Sequence, residues 1–356
     1  MPEPTEISTP GPTTLSAAPS GKAINIPRDA KLSVIVPCFN EADVLPQLHA
    51  RLVASLDALG LRWEAIFIDD GSSDGTYEKL REMHIADPRL KALALSRNFG
   101  HQVAISAGLA AADGDYVAVI DADLQDPPEL IASAVNLLQQ GYDVVYAVRR
   151  KRRGNLLKRA AYRVFYRVLG KLAEVEIPLD AGDFSVMTRR VVDVLNTMRE
   201  RHRFVRGLRA WTGFRQIGLE YDREKRAAGE TKYPLRKLVH LAADGIFSFS
   251  TGPLRLSVYL GMATLALCFA AGLFILVWRL AGFRFMGHAA VDLPGWSAVI
   301  LAVILFSGVH LTILGVMGIY LGMIYGEVKQ RPRWVTRESL GIQPAPSNSP
   351  ELTREP

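Results

Sequence analysis

The chain has 356 residues, of which 49% are hydrophobic and 22% charged, and its formal net charge is +6. The length suffices for one large domain or two ordinary ones, and the mean hydropathy of +0.12 indicates a soluble part joined to a membrane part. The positive charge indicates an anionic partner: lipid head groups, phosphates or nucleic acid. Cys38 lies at the end of a predicted strand and Cys268 lies inside a long apolar run, so neither a disulfide nor a cysteine-bound metal is expected.

Residues 1–30 are rich in Pro, Thr, Ser and Ala and show no apolar periodicity, so they are predicted to form a disordered tail. They lack the basic start and the continuous apolar stretch of a secretory signal peptide. The catalytic part is therefore expected to stay in the cytoplasm.

Strand and helix patterns alternate along the next part of the chain. The predicted strands cover residues 32–37, 64–68, 90–95, 116–120, 143–148, 181–187 and 214–221, and the predicted helices cover 43–59, 77–85, 101–112, 129–140, 189–198 and 206–211. This alternation predicts an α/β domain with a mostly parallel sheet and with ligands at the carboxyl ends of its strands.

Two carboxylates, Asp121 and Asp123, follow the fourth predicted strand two residues apart. Residues at this spacing on a strand share a face, and two like charges there repel each other unless a cation joins them. A hard divalent metal that carries a ligand diphosphate would satisfy both carboxylates. The alternative is an Asp-rich turn that simply precedes a helix.

Acidic residues also follow other predicted strands: Glu41 comes after the first, and Asp69 and Asp70 come after the second. Carboxylates accept hydrogen bonds from a base N–H and from ribose hydroxyls. Taken singly, such residues can be helix caps, as at Asp43 or Asp74. The chain has neither a Gly-x-Gly-x-x-Gly turn after the first strand nor a P-loop, so the acidic set favours a nucleoside-diphosphate site of another kind.

A basic run spans residues 149–159. Such a run is usually a solvated face. Here it follows the carboxyl end of a strand, so Arg149 is expected to contact the ligand, whereas the remaining basic residues are expected to face solvent or lipid phosphate.

Apolar patterns in the last third of the chain predict membrane attachment. Residues 235–249 read as an amphipathic helix at a membrane surface, although an ordinary core-facing helix has the same pattern. Residues 254–278 and 297–325 each exceed the ~20 residues that span a bilayer, and a short connection predicts a helical hairpin. The excess of Lys and Arg after the second span places both ends of the hairpin in the cytoplasm.

The motifs as a set resemble family 2 glycosyltransferases with the GT-A fold, and more narrowly the polyprenyl-phosphate glycosyltransferases (bacterial and phage bactoprenol glucosyl transferases and dolichol-phosphate mannose synthases). The resemblance covers about residues 31–335 and is carried by Val36-Pro37-x-x-Asn40-Glu41, Asp69-Asp70-Gly71-Ser72-Ser73-Asp74-Gly75-Thr76, Ser96-Arg97-Asn98-Phe99-Gly100 and Asp121-x-Asp123-x-Gln125-Asp126-Pro127-Pro128.

The resemblance implies roles for particular residues. The expected catalytic residues are Asp183, Asp123 and Gln125; the expected donor-nucleotide residues are Pro37, Glu41, Asp69, Asp70 and Asp121; the expected acceptor or diphosphate residues are Arg149, Arg206, Arg226 and Lys232; and the expected metal ligands are Asp121 and Asp123. Asp183 matches the position usually proposed as the base. The acceptor phosphate is already anionic, so we expect Asp183 to orient a substrate rather than to remove a proton, unless it is only a buried strand residue.

The implied reaction is inverting transfer of a sugar, with glucose from UDP-glucose as the first choice, to undecaprenyl or another polyprenyl phosphate, for modification of cell-envelope glycans. Mg²⁺ or Mn²⁺ is the expected cofactor. The expected partners are the nucleotide sugar, the lipid acceptor, the bilayer and further copies of the chain, with a tetramer as one arrangement, and no nucleic acid. The alternatives are mannose from GDP-mannose, an N-acetylhexosamine or an aminoarabinose-type sugar.

Two other classes remain open. One is a processive polysaccharide synthase, which would have more spans and a Gln-x-x-Arg-Trp motif, whereas here Leu208-Arg209-Ala210-Trp211 does not match. The other is a membrane-tethered protein that binds nucleotide sugars or anionic lipid without catalysis.

The predicted organisation is a disordered tail (1–30), a GT-A domain (31–233), an amphipathic juxtamembrane segment (234–253), a two-helix transmembrane hairpin (254–326) and a cytoplasmic tail (327–356). The expected location is the bacterial inner membrane, with the catalytic domain and both termini in the cytoplasm.

Overall fold

The computed structural model describes residues 27, 29–149, 181–201, 203–222, 252–281 and 295–342. Several predictions concern residues outside these ranges: the N-terminal tail, the basic run after Arg149, the juxtamembrane segment before residue 252, and the sites Arg226 and Lys232.

The described part of the chain forms an eight-stranded sheet with helices on both faces. The strands are β1 (Lys31–Cys38), β2 (Arg62–Asp69), β3 (Leu90–Leu95), β4 (Tyr116–Val119), β5 (Val144–Arg149), β6 (Ala181–Thr188), β7 (Gln216–Tyr221) and β8 (Thr336–Leu340). The helices are α1 (Leu45–Asp57), α2 (Thr76–Ala86), α3 (His101–Ala111), α4 (Leu130–Gln139), α5 (Arg189–Thr197), α6 (Val205–Trp211), α7 (Gly252–Ala281) and α8 (Gly295–Val328).

The spatial order of the strands is β7-β5-β6-β4-β1-β2-β3-β8. Strands β3, β2, β1 and β4 run parallel, as the alternating pattern predicts. Strand β6 is antiparallel to both β4 and β5, and β8 is antiparallel to β3. The GT-A class is therefore confirmed, with a mixed sheet whose antiparallel strands lie beside and beyond the parallel core.

Continuous burial explains why the central strands read as apolar runs. Seven of the eight residues of β1 are buried, because helices cover both faces of the sheet. Leu48 of α1, Leu80 of α2 and Leu138 of α4 belong to one core cluster. Ile105 of α3 and Val192 of α5 belong to the cluster on the opposite face. Pro37, which lacks an N–H, lies beyond Ile35, the last β1 residue paired with β4, so no β1–β4 ladder bond is lost there.

Strand β8 is an element that the sequence analysis did not predict. Residues 336–340, which it assigned to a cytoplasmic tail, pair with β3, with Leu93 opposite Ser339 and Ala94 opposite Glu338. Three of these five residues are exposed and they alternate poorly, because an edge strand is covered on one side only. The sheet thus includes chain from both sides of the hairpin.

Helices α7 and α8 are long and apolar enough to cross a bilayer, with windows Leu256–Phe274 and Leu305–Val328 of mean hydropathy 1.9 and 1.6. Almost none of either window is buried, and large side chains such as Phe269 are exposed, at 73%. The helices touch each other at Gly261, whose added Cβ would lie 3.6 Å from Ile313 Cδ1. Among the described residues, nothing lies within 4 Å of an added Cβ at four glycines of α8: Gly308, Gly315, Gly318 and Gly322. Self-association of the chain through this face of α8 remains a prediction.

Candidate active site

Four segments meet at the carboxyl ends of β1 and β4: the start of α3, the turn after β4, strand β6 and the start of α6. Strand β6 is antiparallel to β4, with Val119 opposite Ser185. Asp121 lies two residues after Val119 and Asp183 lies two residues before Ser185, so the antiparallel pairing brings the two carboxylates together. The topology converts two residues 62 positions apart in the sequence into neighbours.

Asp183 is the most heavily bonded side chain of this site. Arg206 Nε and Nη2 donate to its two oxygens at 2.7 and 2.8 Å, a bidentate arrangement. The residue is 8% exposed. Burial by itself would raise the pKa of the Asp183 carboxyl, but the hydrogen bonds from Arg206 and His101 outweigh burial and hold the pKa well below its usual range. Asp183 is therefore a fixed anion and a weak base at neutral pH.

The first two residues of α3 also contact Asp183. His101 Nε2 lies 3.1 Å from Asp183 Oδ2, and Gln102 Nε2 donates to Oδ1 at 3.3 Å. Gln102 Oε1 accepts the backbone N–H of Val205, which ties α3 to the start of α6. Burial lowers the pKa of the His101 imidazole, but Asp183 and Asp121 raise it by a larger amount, so the net shift is upward.

Asp121 has one carboxylate oxygen that no described residue hydrogen-bonds. Its Oδ1 atom is buried without a hydrogen bond in the described part of the chain and lies 3.5 Å from His101 Nε2. Burial raises the pKa of Asp121 to about 6, His101 opposes the rise, and the carboxylates of Asp183, Asp126 and Asp123 add to it. An additional positive charge would relieve this cost.

His101, Asp121 and Asp183 each offer a ligand atom, and these atoms lie within 4.8 Å of one another. The donor set of two carboxylates and an imidazole suits Mg²⁺ or Mn²⁺, and the orphaned Asp121 oxygen fits the same ion. Asp183 has most of its hydrogen-bonding capacity taken by Arg206, so Asp121 would be the principal ligand of such an ion among the three.

Asp123 lies in the turn after β4, which ends at Val119 and so does not extend to either carboxylate. Asp123 Oδ1 accepts the backbone N–H of Gln125 at 3.1 Å, and both residues are partly buried. Leu124 between them has φ 57 and is 2% exposed. A left-handed leucine costs of order 1 kcal/mol, so burial of its side chain must hold this turn in shape.

The predicted nucleoside residues line the loops after β1, β2 and β3. Asp69 is fully buried, and its Oδ1 accepts the N–H of Ser72. Both oxygens of Asp70 accept backbone N–H groups, from Phe99 and Gly100. In this structure Asp70 therefore ties the loop after β3 to the loop after β2.

The loop after β1 is fixed in the same way. The Glu41 N–H donates to Thr76 Oγ1, and the Ala42 N–H donates to Asp74 Oδ2. Asn40, with φ 56, accepts the Ser73 N–H. Pro37, buried at the end of β1, begins this loop. The polar motifs that predict a ligand site are thus also the groups that shape its loops.

Arg149 ends β5 and approaches the site from the side of β7. Its Nε donates to Tyr221 Oη at 3.3 Å. Burial lowers the pKa of Arg149, but Tyr221 and Asp126 raise it by a larger amount. The net shift of the pKa is upward, so the guanidinium stays charged.

The sequence analysis missed His101, Gln102 and Tyr221. Its motif ended at Gly100, although His101-Gln102 follows directly and opens α3 with polar side chains. Tyr221 carried no such signal, because a strand tyrosine is ordinarily a packing residue.

The fold and the site together define the class, a glycosyltransferase of the GT-A fold. Acidic side chains lie at the carboxyl ends of the strands, the loops are fixed around them, and one cluster suits a divalent cation. Residues 33–195 match the model of the glycosyl transferase family 2. The chain belongs to that family, and it is a transferase.

The relatives are similar over nearly their whole length. An uncharacterised glycosyltransferase of Bacillus subtilis, YkcC, is 44% identical over 89% of this chain and 96% of its own. The bactoprenol glucosyl transferase of Shigella phage SfII is 36% identical over 87% of this chain and 98% of its own. A solved glucosyl-3-phosphoglycerate synthase of Mycobacterium tuberculosis, in complex with Mn²⁺, UDP and phosphoglyceric acid, is 21% identical over 61% of this chain and 76% of its own, with a TM-score of 0.40. So distant a likeness assigns no ligand to this chain.

Proposed function

We propose that this protein transfers a hexose, glucose in the first instance, from UDP to the phosphate of a polyprenyl lipid, with inversion at the anomeric carbon. The observation that carries the proposal is the combination of the His101–Asp121–Asp183 cluster with the two apolar helices α7 and α8. The relatives named as bactoprenol glucosyl transferases support the same lipid acceptor and the same sugar.

In the proposed reaction, an oxygen of the acceptor phosphate attacks the anomeric carbon while the bond to the nucleoside diphosphate breaks. Asp121, with His101 and the predicted ligand Asp123, would hold a divalent ion, which when bound supplies positive charge to the departing diphosphate. Arg149 and Arg206 add cations at the same edge of the sheet, since preorganised charge is most effective where charge develops. The acceptor arrives as an anion, so the transfer requires no strong base.

Asp183 takes an orienting role in this scheme. It fixes Arg206, His101 and Gln102 in one network, and its pKa lies well below the usual range because of the hydrogen bonds from Arg206 and His101. Asp69 and the loops that Asp70 and Asp74 join by hydrogen bonds would bind the nucleoside. Pro37 and Glu41 would lie beside the nucleoside, and Gln125 would lie near the sugar. The predicted acceptor residues Arg226 and Lys232 belong to this proposal on their sequence position alone.

The membrane arrangement is part of the proposal. Strand β8 follows the hairpin yet belongs to the same sheet as β1, which precedes it. This supports a topology in which both ends of the hairpin lie on one side of the bilayer, and the basic residues after α8 favour the cytoplasmic side of the inner membrane. The acceptor phosphate would meet the catalytic domain at that surface.

The test uses the full-length protein in detergent or in membranes. Radiolabelled UDP-glucose, UDP-N-acetylglucosamine and GDP-mannose are each incubated with undecaprenyl phosphate, with and without Mg²⁺ or Mn²⁺. We expect metal-dependent label in an organic-extractable lipid, highest from UDP-glucose. Label from a different nucleotide sugar would correct the donor, and absence of labelled lipid from every donor would refute the lipid-linked reaction.

A further inference from the structure

Tyr221 and Asp126 form a buried pair beside the site, and none of the roles described above includes them. Tyr221 is 5% exposed and Asp126 is 1% exposed. The Tyr221 hydroxyl donates to Asp126 Oδ1, and Arg149 Nε donates to the same hydroxyl oxygen at 3.3 Å. One hydroxyl therefore connects a buried carboxylate to a guanidinium.

Strand register and turn geometry produce this contact. Strands β5 and β7 are parallel, and their last pair is Arg149 opposite Tyr221. Asp126 comes from the turn between β4 and α4. The three side chains thus converge from three different segments, which a packing role for Tyr221 would not require.

The protonation state of Tyr221 gives the chain of hydrogen bonds a direction. Burial raises the pKa of Tyr221 to about 12, and Asp126 adds to the rise. The hydroxyl therefore keeps its proton at neutral pH. Since that single proton goes to Asp126, the oxygen lone pairs remain available to Arg149.

The other end of Arg149 lies beside Gly182 of β6. Arg149 Nη2 and Asp126 Oδ2 lie 3.6 and 3.7 Å from the point where a Cβ on Gly182 would sit, and Gly182 directly precedes Asp183. Asp126 Oδ2 is buried and has no hydrogen-bond partner in the described residues. Tyr221 thus holds Nε of the guanidinium, and Nη2 lies at Gly182, one residue from Asp183.

We propose that Tyr221 and Asp126 are positioning residues that hold the Arg149 guanidinium against the β-phosphate of the donor. The proposal rests on the proposed function, because it needs a diphosphate in this site. A flexible arginine side chain loses rotamer entropy when it is fixed, so fixing it before the ligand arrives lowers the cost of binding. The effect should concern the diphosphate and not the nucleoside.

The experiment compares UDP with UMP, which differ by the β-phosphate, in calorimetric titrations of the full-length protein in detergent with Mg²⁺. The variants are Tyr221→Phe, Arg149→Met and the double variant; Tyr116→Phe, a buried tyrosine at the amino end of β4, is the control. We expect Tyr221→Phe to weaken UDP binding about 3- to 10-fold, the usual effect of one hydrogen bond, and to change UMP binding less than 2-fold. We expect the double variant to bind UDP no more weakly than Arg149→Met, because the hydroxyl acts through the arginine.

The ratio of the UDP and UMP dissociation constants is internal to each variant, so it remains informative even if a substitution lowers the folded fraction. An unchanged ratio in Tyr221→Phe, or additive losses in the double variant, would overturn the positioning role. If the wild-type protein binds neither UDP nor GDP, the proposed function itself fails, which is a different outcome.

Discussion

Asp183 illustrates how the surroundings of a residue decide its chemistry. The side chain accepts two hydrogen bonds from Arg206 and further contacts from His101 and Gln102. A carboxylate held in this way has little tendency to accept a proton. Its proposed contribution to a transfer reaction is therefore to fix three neighbours, and the loss of its charge should disorder all of them.

Replacement of Asp183 by Asn keeps the shape of the side chain but removes the charge that Arg206 faces. We expect kcat in the lipid-transfer assay to fall by about 100-fold or more, because misplaced groups cost catalysis heavily. Arg206→Met should fall similarly, and the double variant should fall no further than the worse single variant, since the two residues act as one unit. Near-normal turnover of Asp183→Asn would exclude this role.

Glu64 is a second buried carboxylate, and it lies in the sheet away from the site. It is 2% exposed, accepts from Ser33 Oγ at 2.6 Å, and forms ion pairs with Lys31 and Lys91 at 2.8 and 2.7 Å. Burial by itself would raise the pKa of Glu64, but hydrogen bonds to its neighbours, including both lysines, lower it to about 2. Glu64 thus links β1, β2 and β3 by charge inside the sheet.

The Glu64 pKa predicts a specific acid sensitivity. Its folded-state pKa is below the unfolded value, so its contribution is complete above the unfolded pKa of about 4.5 and is lost as the pH falls toward about 2. We expect Glu64→Gln to lower stability at pH 7 by about 2 kcal/mol, after allowance for solvent near the lysine ends. The difference from wild type in thermal unfolding should shrink below pH 4.

The control for Glu64 is Glu338→Gln, which removes an exposed ion pair with Arg81. Exposed pairs contribute about 0–1 kcal/mol, so its unfolding temperature should stay close to wild type at every pH. A Glu64→Gln protein that unfolds like wild type at pH 7 would contradict the buried-charge account.

At the scale of elements, the loops after β1, β2 and β3 behave as one cross-bonded unit. Asp70 binds the loop after β3, and Asp74 binds the loop after β1. The close approach between these loops occurs at Gly71, which has φ 73 and whose added Cβ would lie 2.5 Å from the carbonyl carbon of Arg97. Only a residue without a side chain allows the loops to meet there.

Two glycines test this contact separately from backbone strain. Gly60 has φ 66 with nothing within 4 Å of an added Cβ, whereas Gly71 has both a positive φ and the clash. We expect Gly60→Ala to destabilise the protein by about 1 kcal/mol through φ alone. Gly71→Ala should cost about 3 kcal/mol or more and weaken UDP binding, because the backbone must also shift.

Thermal unfolding and UDP titration of the two variants measure these effects. Equal losses of stability in Gly60→Ala and Gly71→Ala would show that the loops can separate at no cost. That result would remove the argument that they form one unit.

At the scale of the whole molecule, the chain that follows α8 returns to the sheet. Residues that follow α8 are fastened to the domain: the Ser96 N–H donates to Val335 O, and Arg333 Nη1 donates to Met198 O. Arg337 Nη2 lies 3.8 Å from the buried Oδ2 of Asp69. The segment after α8 therefore covers the edge of β3 and reaches the predicted nucleoside loops.

Two C-terminal truncations test whether this attachment of the segment after α8 stabilises the sheet. Ending the chain after residue 342 keeps β8, whereas ending it after residue 329 removes β8 and exposes the edge of β3. We expect the longer chain to match wild type in UDP binding and thermal unfolding, and the shorter one to unfold several degrees lower and to aggregate, because an open strand edge pairs with other chains. Equal behaviour of the two truncations on size-exclusion chromatography in detergent would contradict a structural role for β8.

The sequence by itself determined the class and the elements other than β8. Apolar runs bounded by turn residues fixed the bounds of strands such as β3, which agrees at both ends with the prediction, and 3.6-residue periodicity located the helices. The acidic motifs and the two long apolar runs gave the glycosyltransferase family and the candidate membrane helices. These features are local, since each depends on residues close together in the chain.

Only the tertiary structure decided which residues meet. The antiparallel course of β6 brings Asp183 beside Asp121, the start of α3 adds His101 and Gln102, and β7 sets Tyr221 against Arg149. Strand β8 is short, polar and exposed, so no periodicity marks it, and its position depends on an unpaired edge far away in the sequence. Strand order and crossover direction are set by long-range packing, and the composition of a single segment carries no information about that packing.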